Sequence, residues 1–220
     1  MAQSLEDIFN LALSACGVTT QIGDTNERSR EAATCRLWFP LVRDNVQTAA
    51  PWPSVIANRR LARLTVSDAP WVSGDGEPGY AFSYACPEDL LLPSHMNSFQ
   101  PFAYTTVDDV RVISSNEEAP ILSYHRRAQV PGLWDHSLTM ATIYTLATHI
   151  ARPITGRSTT VGENKQLASE IVSDMRRAAA NSSDQPREVL PDYLSIRGYD
   201  NVSPTRFYYP LQSLNFGAAS

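Results

Sequence analysis

The sequence is nearly devoid of lysine and has no long apolar run. Of its 18 basic residues only Lys165 is a lysine, and the others are arginines. Protein interfaces favour arginine because its planar fork pairs with carboxylates and tolerates partial desolvation, although genomic base composition would give the same bias. No apolar stretch approaches the roughly 20 residues of a membrane span, and the N-terminal residues do not resemble a secretion signal. We therefore expect a protein kept in a cytosol-like compartment, with no membrane partner.

Cysteine is also scarce, and its spacing excludes the usual metal sites. Cys16, Cys35 and Cys86 are far apart, with no CxxC pair and no histidine close by in sequence. Zinc sites need such clustered thiolates and imidazoles. We expect the three thiols to act as small apolar side chains in helices and a strand, and we predict no metal or cofactor site.

Catalytic motifs are missing as well. The sequence has no GxSxG, no HExxH, no Walker loop and no dinucleotide fingerprint after a strand. His136 follows Asp135, but neighbours on a helix point in different directions, so we interpret Asp135 as a helix cap. Two acidic pairs, Glu117 with Glu118 and Glu88 with Asp89, are better explained as solvated turn residues or a cap. The sequence therefore predicts a protein that is not an enzyme and has no catalytic residues.

What the sequence does contain is enough apolar material for a folded core. Hydrophobic residues make up 43% of the chain and charged residues 19%, which is typical of a globular protein rather than a disordered one. The net charge of -5 argues against a dedicated nucleic-acid binder, in which a basic surface normally dominates.

Helical periodicity is strong in the first 50 residues and again in residues 133–180. We predict helices at residues 4–16 and 133–151 and at about 160–180, the last with a clear apolar stripe. A further helix is expected to open with a capping box at Asp24 and Glu27, to kink near Pro40 and to reach about residue 49.

The middle of the chain favours strands. We predict a strand at 61–66, an aromatic strand at 80–85 and a hairpin of 110–113 with 121–124. The predicted fold class is α+β, mainly α: an antiparallel helical bundle with an inserted small β-sheet and an extended C-terminal arm. Residues 1–185 form the main domain, with a helical body at about 4–52 and 131–181 and a β-rich insert at about 58–128.

Residues 186–220 form the predicted arm. Four prolines interrupt it, yet it is rich in aromatic side chains, which solvated tails avoid. We expect the arm to become ordered on a neighbouring chain, or alternatively to pack back on its own domain. The residues expected to bind the partner are Tyr193, Tyr199, Arg206, Phe207, Tyr208, Tyr209 and Phe216.

Several short strings resemble, in their order and spacing, the head-to-tail adaptor (connector) proteins of tailed bacteriophages, the group that includes tail tubular protein A. The resemblance covers about residues 5–180. Its strings are Ala15-Cys16-Gly17, Glu31-Ala32, Trp38-Phe39-Pro40-Leu41-Val42-Arg43-Asp44, Ala50-Pro51-Trp52-Pro53, Arg59-Arg60-Leu61-Ala62, Pro87-Glu88-Asp89-Leu90 and Ala151-Arg152-Pro153-Ile154-Thr155-Gly156. Cys86 stands where the family more often has leucine, and the arm shows no family motif.

The resemblance implies a structural virion protein at the head–tail junction, assembled in the host cytoplasm. It implies a homo-oligomeric ring, usually of twelve copies, between the portal protein and the tail tube or nozzle, with DNA passing through the lumen without specific binding. Arg59, Arg60, Arg126 and Arg127 are expected at subunit contacts or in the lumen. Another connector layer, a stopper or nozzle subunit, is the nearest alternative; a nucleic-acid-binding module with an arginine-rich surface is a further one.

Overall fold

The computed structural model describes residues 4–64, 80–107, 109–156 and 159–182. The chain up to Ser182 forms one compact unit. Four helices and six strands follow one another in the order α1 (Leu5–Ala15), α2 (Arg30–Ala49), β1 (Ile56–Arg60), β2 (Phe82–Ala85), β3 (Leu90–Met96), β4 (Phe102–Val107), β5 (Val110–Ser115), β6 (Ile121–Arg126), α3 (His136–Thr155) and α4 (Thr159–Ser182). None of the helices described is both long enough and apolar enough to cross a membrane.

The first helix has the bounds that its sequence predicts. Ser4 is its N-cap, and the Ser4 hydroxyl accepts from the Asp7 amide at 3.1 Å while the Asp7 carboxylate accepts from the Ser4 amide at 3.0 Å. This reciprocal capping box satisfies two amides that the first turn leaves free. Beyond the C-cap Cys16, Gly17 takes a φ of +77°, a left-handed conformation that glycine adopts without strain.

The predicted capping box of the second helix was wrong. The Asp24 carboxylate accepts from the Asn26 amide two residues on, at 2.8 Å, so Asp24 builds a turn instead. Ser29 is the N-cap of α2, and its hydroxyl accepts from the Ala32 amide. Pro40 lies inside α2, and the helix continues past it to Ala49.

The third helix is buried on most sides, as its composition predicts. Five threonines along α3 donate their hydroxyls to the carbonyl four residues earlier, for example Thr142 to Leu138 at 2.8 Å and Thr145 to Ala141 at 2.7 Å. This local bond satisfies a polar group without a tertiary partner. Pro153 lies inside α3 rather than ending it, and Gly156 at φ +69° ends the helix.

The prediction of a mainly helical protein built as an antiparallel bundle was wrong. Helices take up 48% of the described residues and strands 22%, so the fold is mixed α and β, and the described helices form no bundle. α1, α2 and α4 all pack on α3. The reason is that α3 is apolar on most of its surface, so the other three helices can all pack against it. A helix of an amphipathic bundle instead buries a single apolar stripe.

Instead of one small sheet, the strands form two three-stranded antiparallel sheets. The first has the order β1-β6-β3 and the second β2-β5-β4. The predicted hairpin of β5 with β6 was therefore wrong, because these consecutive strands are the central strands of different sheets. β1, β3 and β4 were not predicted. Of the strand expected at 61–66, residues 65 and 66 lie outside the described residues, and the described part forms an isolated antiparallel bridge between Arg63 and Tyr84 of β2.

The two sheets share an apolar cluster between them. Tyr84 and Ile113 from the second sheet pack with Leu122 and Tyr124 from the first. Along β6 the alternate residues face the other way, and there the buried His125 ring nitrogen Nδ1 lies 2.9 Å from the Gln47 carbonyl oxygen at the end of α2. β6 thus separates the sheet cluster from the larger helical core.

Candidate functional site: exposed apolar patches and arginine pairs

The residues expected to bind a partner fall into two groups, of which only one can be placed. The seven arm residues, from Tyr193 to Phe216, lie outside the described residues. The four arginines at 59, 60, 126 and 127 are described, and they lie on or next to the β1–β6 ladder.

This ladder keeps the two arginine pairs apart. β1 and β6 are antiparallel, with Arg60 opposite Ile121 and Ile56 opposite His125. Arg59 and Arg60 therefore lie at one end of the ladder and Arg126 at the other, about five residues or ~16 Å away. Arg59 and Arg60 also point to opposite faces of the sheet, because successive strand residues alternate. The four do not form one basic surface.

Arg127 is held within its own chain. Its guanidinium lies 3.0 Å from Asp44 Oδ2, and the Arg43 guanidinium lies 2.8 Å from Asp44 Oδ1. The Arg127 side chain is 37% exposed and the Asp44 side chain 30%, so solvent screens the pairs. The Arg127 amide donates to the Asp89 carbonyl oxygen at 2.7 Å. This cluster joins α2 to the segment that follows β6.

Arg126 and Arg59 also have intramolecular roles. Arg126 donates to the Ser54 carbonyl oxygen at 3.1 Å. Arg59 lies beside the Tyr124 hydroxyl, which donates to Asp89 Oδ1 at 2.9 Å. Burial raises the pKa of Tyr124, the Asp89 carboxylate raises it further and Arg59 opposes the shift. Among the four arginines, Arg60 is exposed and carries no such bond in the described region.

An exposed apolar stripe runs along α2, and it is the least expected feature of the helix. Leu37 is 71% exposed and Leu41 67%, and Ala33 and Pro40 beside them are also exposed. We call these four residues the α2 stripe. The buried face of the same helix carries Ala32, Cys35, Phe39, Val42 and Val46.

A second exposed apolar surface lies between β6 and α3. A short 3-10 turn spans Pro131–Leu133, and Leu133 is 68% exposed and Val130 58%. We call Val130 and Leu133 the linker patch. The residue after it, Trp134, turns inward: its ring stacks on Phe39 with centroids 6.3 Å apart, and its indole nitrogen donates to the Ala128 carbonyl oxygen.

The thiols offer no nucleophile. Burial raises the pKa of Cys16 to about 11 and that of Cys86 to about 11. Burial, with smaller contributions from Cys16 and Glu31, raises the pKa of Cys35 to about 12. Only a thiolate attacks or binds metal well, so all three are unreactive at neutral pH.

Three of the four described histidines, at positions 95, 125 and 149, make contacts within the chain. His149 stacks on Trp38 with centroids 4.8 Å apart, and His95 stacks on Phe99 at 5.2 Å. Ser94 Oγ lies 3.1 Å from His95 Nδ1, but both residues are exposed neighbours on one strand. Asp135 is the N-cap of α3, as interpreted from the sequence, with Oδ1 accepting from the Leu138 amide at 3.2 Å. Across residues 4–64, 80–107, 109–156 and 159–182 no three His, Cys, Asp or Glu side chains are grouped as metal ligands.

No model of a known protein family matches the sequence, and a search of the curated proteins finds no match.

The two exposed patches were not predicted, although one of them left a signal. On α2, Leu37 and Leu41 fall opposite Phe39 at helical spacing, so the helix carries apolar residues on two faces rather than one. The linker patch left no periodic signal, because a three-residue turn has no repeat to detect.

Proposed function

We propose that this chain is a non-enzymatic structural subunit of a tailed-phage virion: a head-to-tail adaptor that forms a ring between the portal and the tail tube or nozzle. The observation that carries the proposal is the pair of exposed apolar surfaces, the α2 stripe and the linker patch, on a unit whose interior is otherwise well packed. Single exposed apolar side chains are common on folded chains, but neighbouring ones that form a patch are typical of a surface that contacts another protein.

Two of the strings that resemble the adaptor family contain side chains that hold the fold together. Trp52, in the string after α2, is fully buried and donates its indole N–H to the Val46 carbonyl oxygen at 2.7 Å. Asp89, in the string before β3, accepts from Tyr124 and from the Arg127 amide. These contacts give the two strings a physical reason to recur in proteins with this arrangement.

The charges also suit a passage for DNA better than a DNA-binding surface. The chain carries a net charge of -5, and tight binding to phosphates requires several free cations on one surface. Arg43 and Arg127 are paired with Asp44. DNA would thus slide through the lumen without specific binding.

The direct test mixes the purified chain with the portal protein of the same phage. We expect a stoichiometric ring on the portal, seen by electron microscopy and by co-sedimentation. Absence of binding to the portal and to every tail component, in vitro and in virions, would contradict the adaptor role. Gel-shift binding of DNA with a steep salt dependence would favour the nucleic-acid-binding alternative instead.

The arm is tested separately by truncation after Asp184. The described unit ends at Ser182, so we expect the shortened chain to fold with little change in Tm and to lose assembly on the portal. A large fall in Tm would show that the arm belongs to the core of its own domain.

A further inference from the structure

The two sheets have four edge strands, and three of these carry a feature that blocks further pairing. β2 is covered by the chain before it, where Arg63 forms a bridge with Tyr84. β3 contains Pro93 and two shifts in its pairing register with β6. β1 carries the exposed Arg59 and Arg60. Covering segments, prolines, bulges and charges are the usual means by which proteins protect a sheet edge from pairing with another chain.

The fourth edge strand, β4, has none of these features. Its six residues include no proline and no charged side chain. Its pairing with β5 runs from Phe102 to Val107 without a register shift. In the ranges 4–64, 80–107, 109–156 and 159–182, β5 is the only strand that pairs with it. The outer side of β4 therefore presents backbone N–H and C=O groups that an added strand can pair with.

The side chains of the second sheet show what such a strand must carry. The register places Tyr84, Ile113 and Tyr104 side by side on one face of the sheet. Tyr84 and Ile113 are fully buried, whereas Tyr104, at the end of the row on β4, is 39% exposed. A strand added to β4 places one of its side chains beside Tyr104. The strand that fits this edge is therefore extended, regular and apolar or aromatic at that position.

The C-terminal arm contains a segment with this chemistry. Residues 205–209 lie between Pro204 and Pro210, and four of the five are aromatic or β-branched, the types that favour strands. Prolines are tolerated at the ends of a strand, so these two delimit a strand close to β4 in length. We propose that residues 205–209 of one copy of this chain add to β4 of the next copy as an antiparallel strand.

The length of the arm suits a contact between copies. Residues 183–204 lie between the described unit and the proposed strand. At ~3.4 Å per residue they reach up to roughly 75 Å when extended, whereas a compact domain of about 180 residues is roughly 40 Å across. The segment can therefore pass beyond its own domain to a neighbour.

The charges at one end of β4 agree with the antiparallel orientation. An antiparallel strand starts where β4 ends, so Arg206 lies toward the turn that follows β4. That turn carries Asp108 and Asp109, against the single cation Arg111 on β5. A parallel strand would place Arg206 at the other end, away from both carboxylates.

Pairing of an arm with β4 joins unlike parts of two copies. Each copy then offers one arm and one open edge, which is the head-to-tail contact that a closed ring requires. This inference rests on the proposed ring and identifies the position that the arm takes on the neighbouring subunit.

Cysteines on two separate chains test the contact, because a disulfide between them forms only between copies. In a Cys86→Ser background the remaining thiols, Cys16 and Cys35, are buried. One full-length chain carries Thr106→Cys at an exposed position of β4, and a second, enlarged by a fused tag, carries Tyr208→Cys. Mild oxidation of the mixture should give a disulfide-linked dimer of the two chains. The contact raises the local thiol concentration, so we expect at least about tenfold more of this mixed dimer than from control pairs.

Two control pairs each move one cysteine. Ser94→Cys, an exposed position on the protected strand β3, replaces Thr106→Cys in the first pair. Ile196→Cys, elsewhere in the arm, replaces Tyr208→Cys in the second. A mixed dimer no more abundant than in these controls would overturn the proposal. A dominant disulfide between two Thr106→Cys chains would also overturn it, since β4 would then pair with itself.

Prolines in the arm test whether the contact is a strand pairing. Successive residues of a strand direct their N–H groups to opposite sides. Replacing both Arg206 and Phe207 by proline therefore removes a donor to β4 whichever of the two faces it. We expect the mixed dimer from the Tyr208→Cys chain to fall about tenfold. An unchanged yield would show that the arm does not add as a strand.

The experiment separates this inference from the adaptor role, because the mixed dimer needs no portal or tail protein. A mixed dimer with no binding to any virion component would leave the contact between copies standing and remove the adaptor role. Binding to the portal with no mixed dimer, in solution or on the portal, would remove the proposed contact alone.

Discussion

The helical core and the sheet cluster of this chain are built on different principles. The helical core gathers 22 buried residues around α3, and its helices are each stabilised first by bonds between near neighbours in sequence. The sheet cluster holds seven buried residues, six of them on strands and one, Leu61, directly after β1. β4 and β5 form a local hairpin, but β6 pairs with β1 and β3, and β5 with β2, over long separations in sequence. The comparison teaches that a local pattern specifies the first region, whereas the second depends mainly on tertiary pairing.

The largest expected effect is the loss of stability when one buried leucine of each region is replaced by alanine. Leu146 and Leu122 are both fully buried, one in each cluster. Leu146→Ala should cost about 4 kcal/mol and Leu122→Ala about 2–3 kcal/mol, because a cavity in the larger core collapses less readily. Urea unfolding measures both free energies, with the exposed Leu37→Ala as a control. Equal losses would show that the two clusters are packed equally tightly.

Gln47 is a buried polar side chain that joins α2 to the segment after β6, within the helical core. It is fully buried, its amide nitrogen donates to the Ala128 carbonyl oxygen at 2.8 Å, and its amide oxygen accepts from the Ala128 amide at 3.1 Å. Gln47→Ala leaves the Ala128 amide buried without a partner and should cost about 2–3 kcal/mol. The exposed Gln166→Ala is the matched control and should cost less than ~0.5 kcal/mol. Equal effects of the two substitutions on urea unfolding would mean that the junction contributes nothing.

Asp135 is the N-cap of α3, and we expect its replacement to change the free energy of unfolding by less than the Gln47 substitution does, and in a pH-dependent way. Its Oδ1 bonds the Leu138 amide, whereas Oδ2 is buried without a partner. Asp135→Ala should lose about 1 kcal/mol, as N-cap deletions do. Asp135→Ser keeps a cap and removes the partnerless oxygen, so it should be at least as stable as the wild type at neutral pH.

The sign of the pH dependence follows from the raised pKa of Asp135, which burial causes. A carboxyl whose folded pKa is raised contributes stability that is fully present below its ordinary pKa and is lost as pH rises through the folded value. The stability of Asp135→Ser relative to the wild type should therefore increase over that window. Thermal unfolding from pH 3 to 7 checks this; a constant difference would contradict it.

The smallest expected effect concerns the ion pairs of Asp44 with Arg43 and Arg127. Because these pairs are partly exposed, Asp44→Asn should cost less than about 1 kcal/mol, and high salt should reduce the loss further. Asp174→Asn on α4 is the control, since its pair with Arg177 is more than 70% exposed on both sides. A loss at Asp44 that salt does not change would indicate a hydrogen-bonded role rather than an electrostatic one.

The helices were predictable because helical bonds span four residues, so caps and periodicity lie within one stretch of sequence. The bounds of α1 and the burial of α3 were predicted correctly for that reason. Asp24 was misread as a cap because the same side chain builds a turn when the residue two positions on is the donor. The prediction of the sheets failed because β6 pairs with β1 and β3, whose residues are far apart in sequence. Local periodicity carries no information about which distant strands pair.

By itself the sequence determined that four helices form and which face of α1 is buried, and it excluded the common catalytic and metal motifs, because all these properties depend on residue type and short spacing. The tertiary structure alone decided that the arginine pairs lie at opposite ends of one ladder, that Gln47 on α2 bonds to Ala128 after β6, and that Leu37, Leu41, Val130 and Leu133 are left exposed. Exposure is a property of what the rest of the chain covers, and only the folded arrangement specifies that.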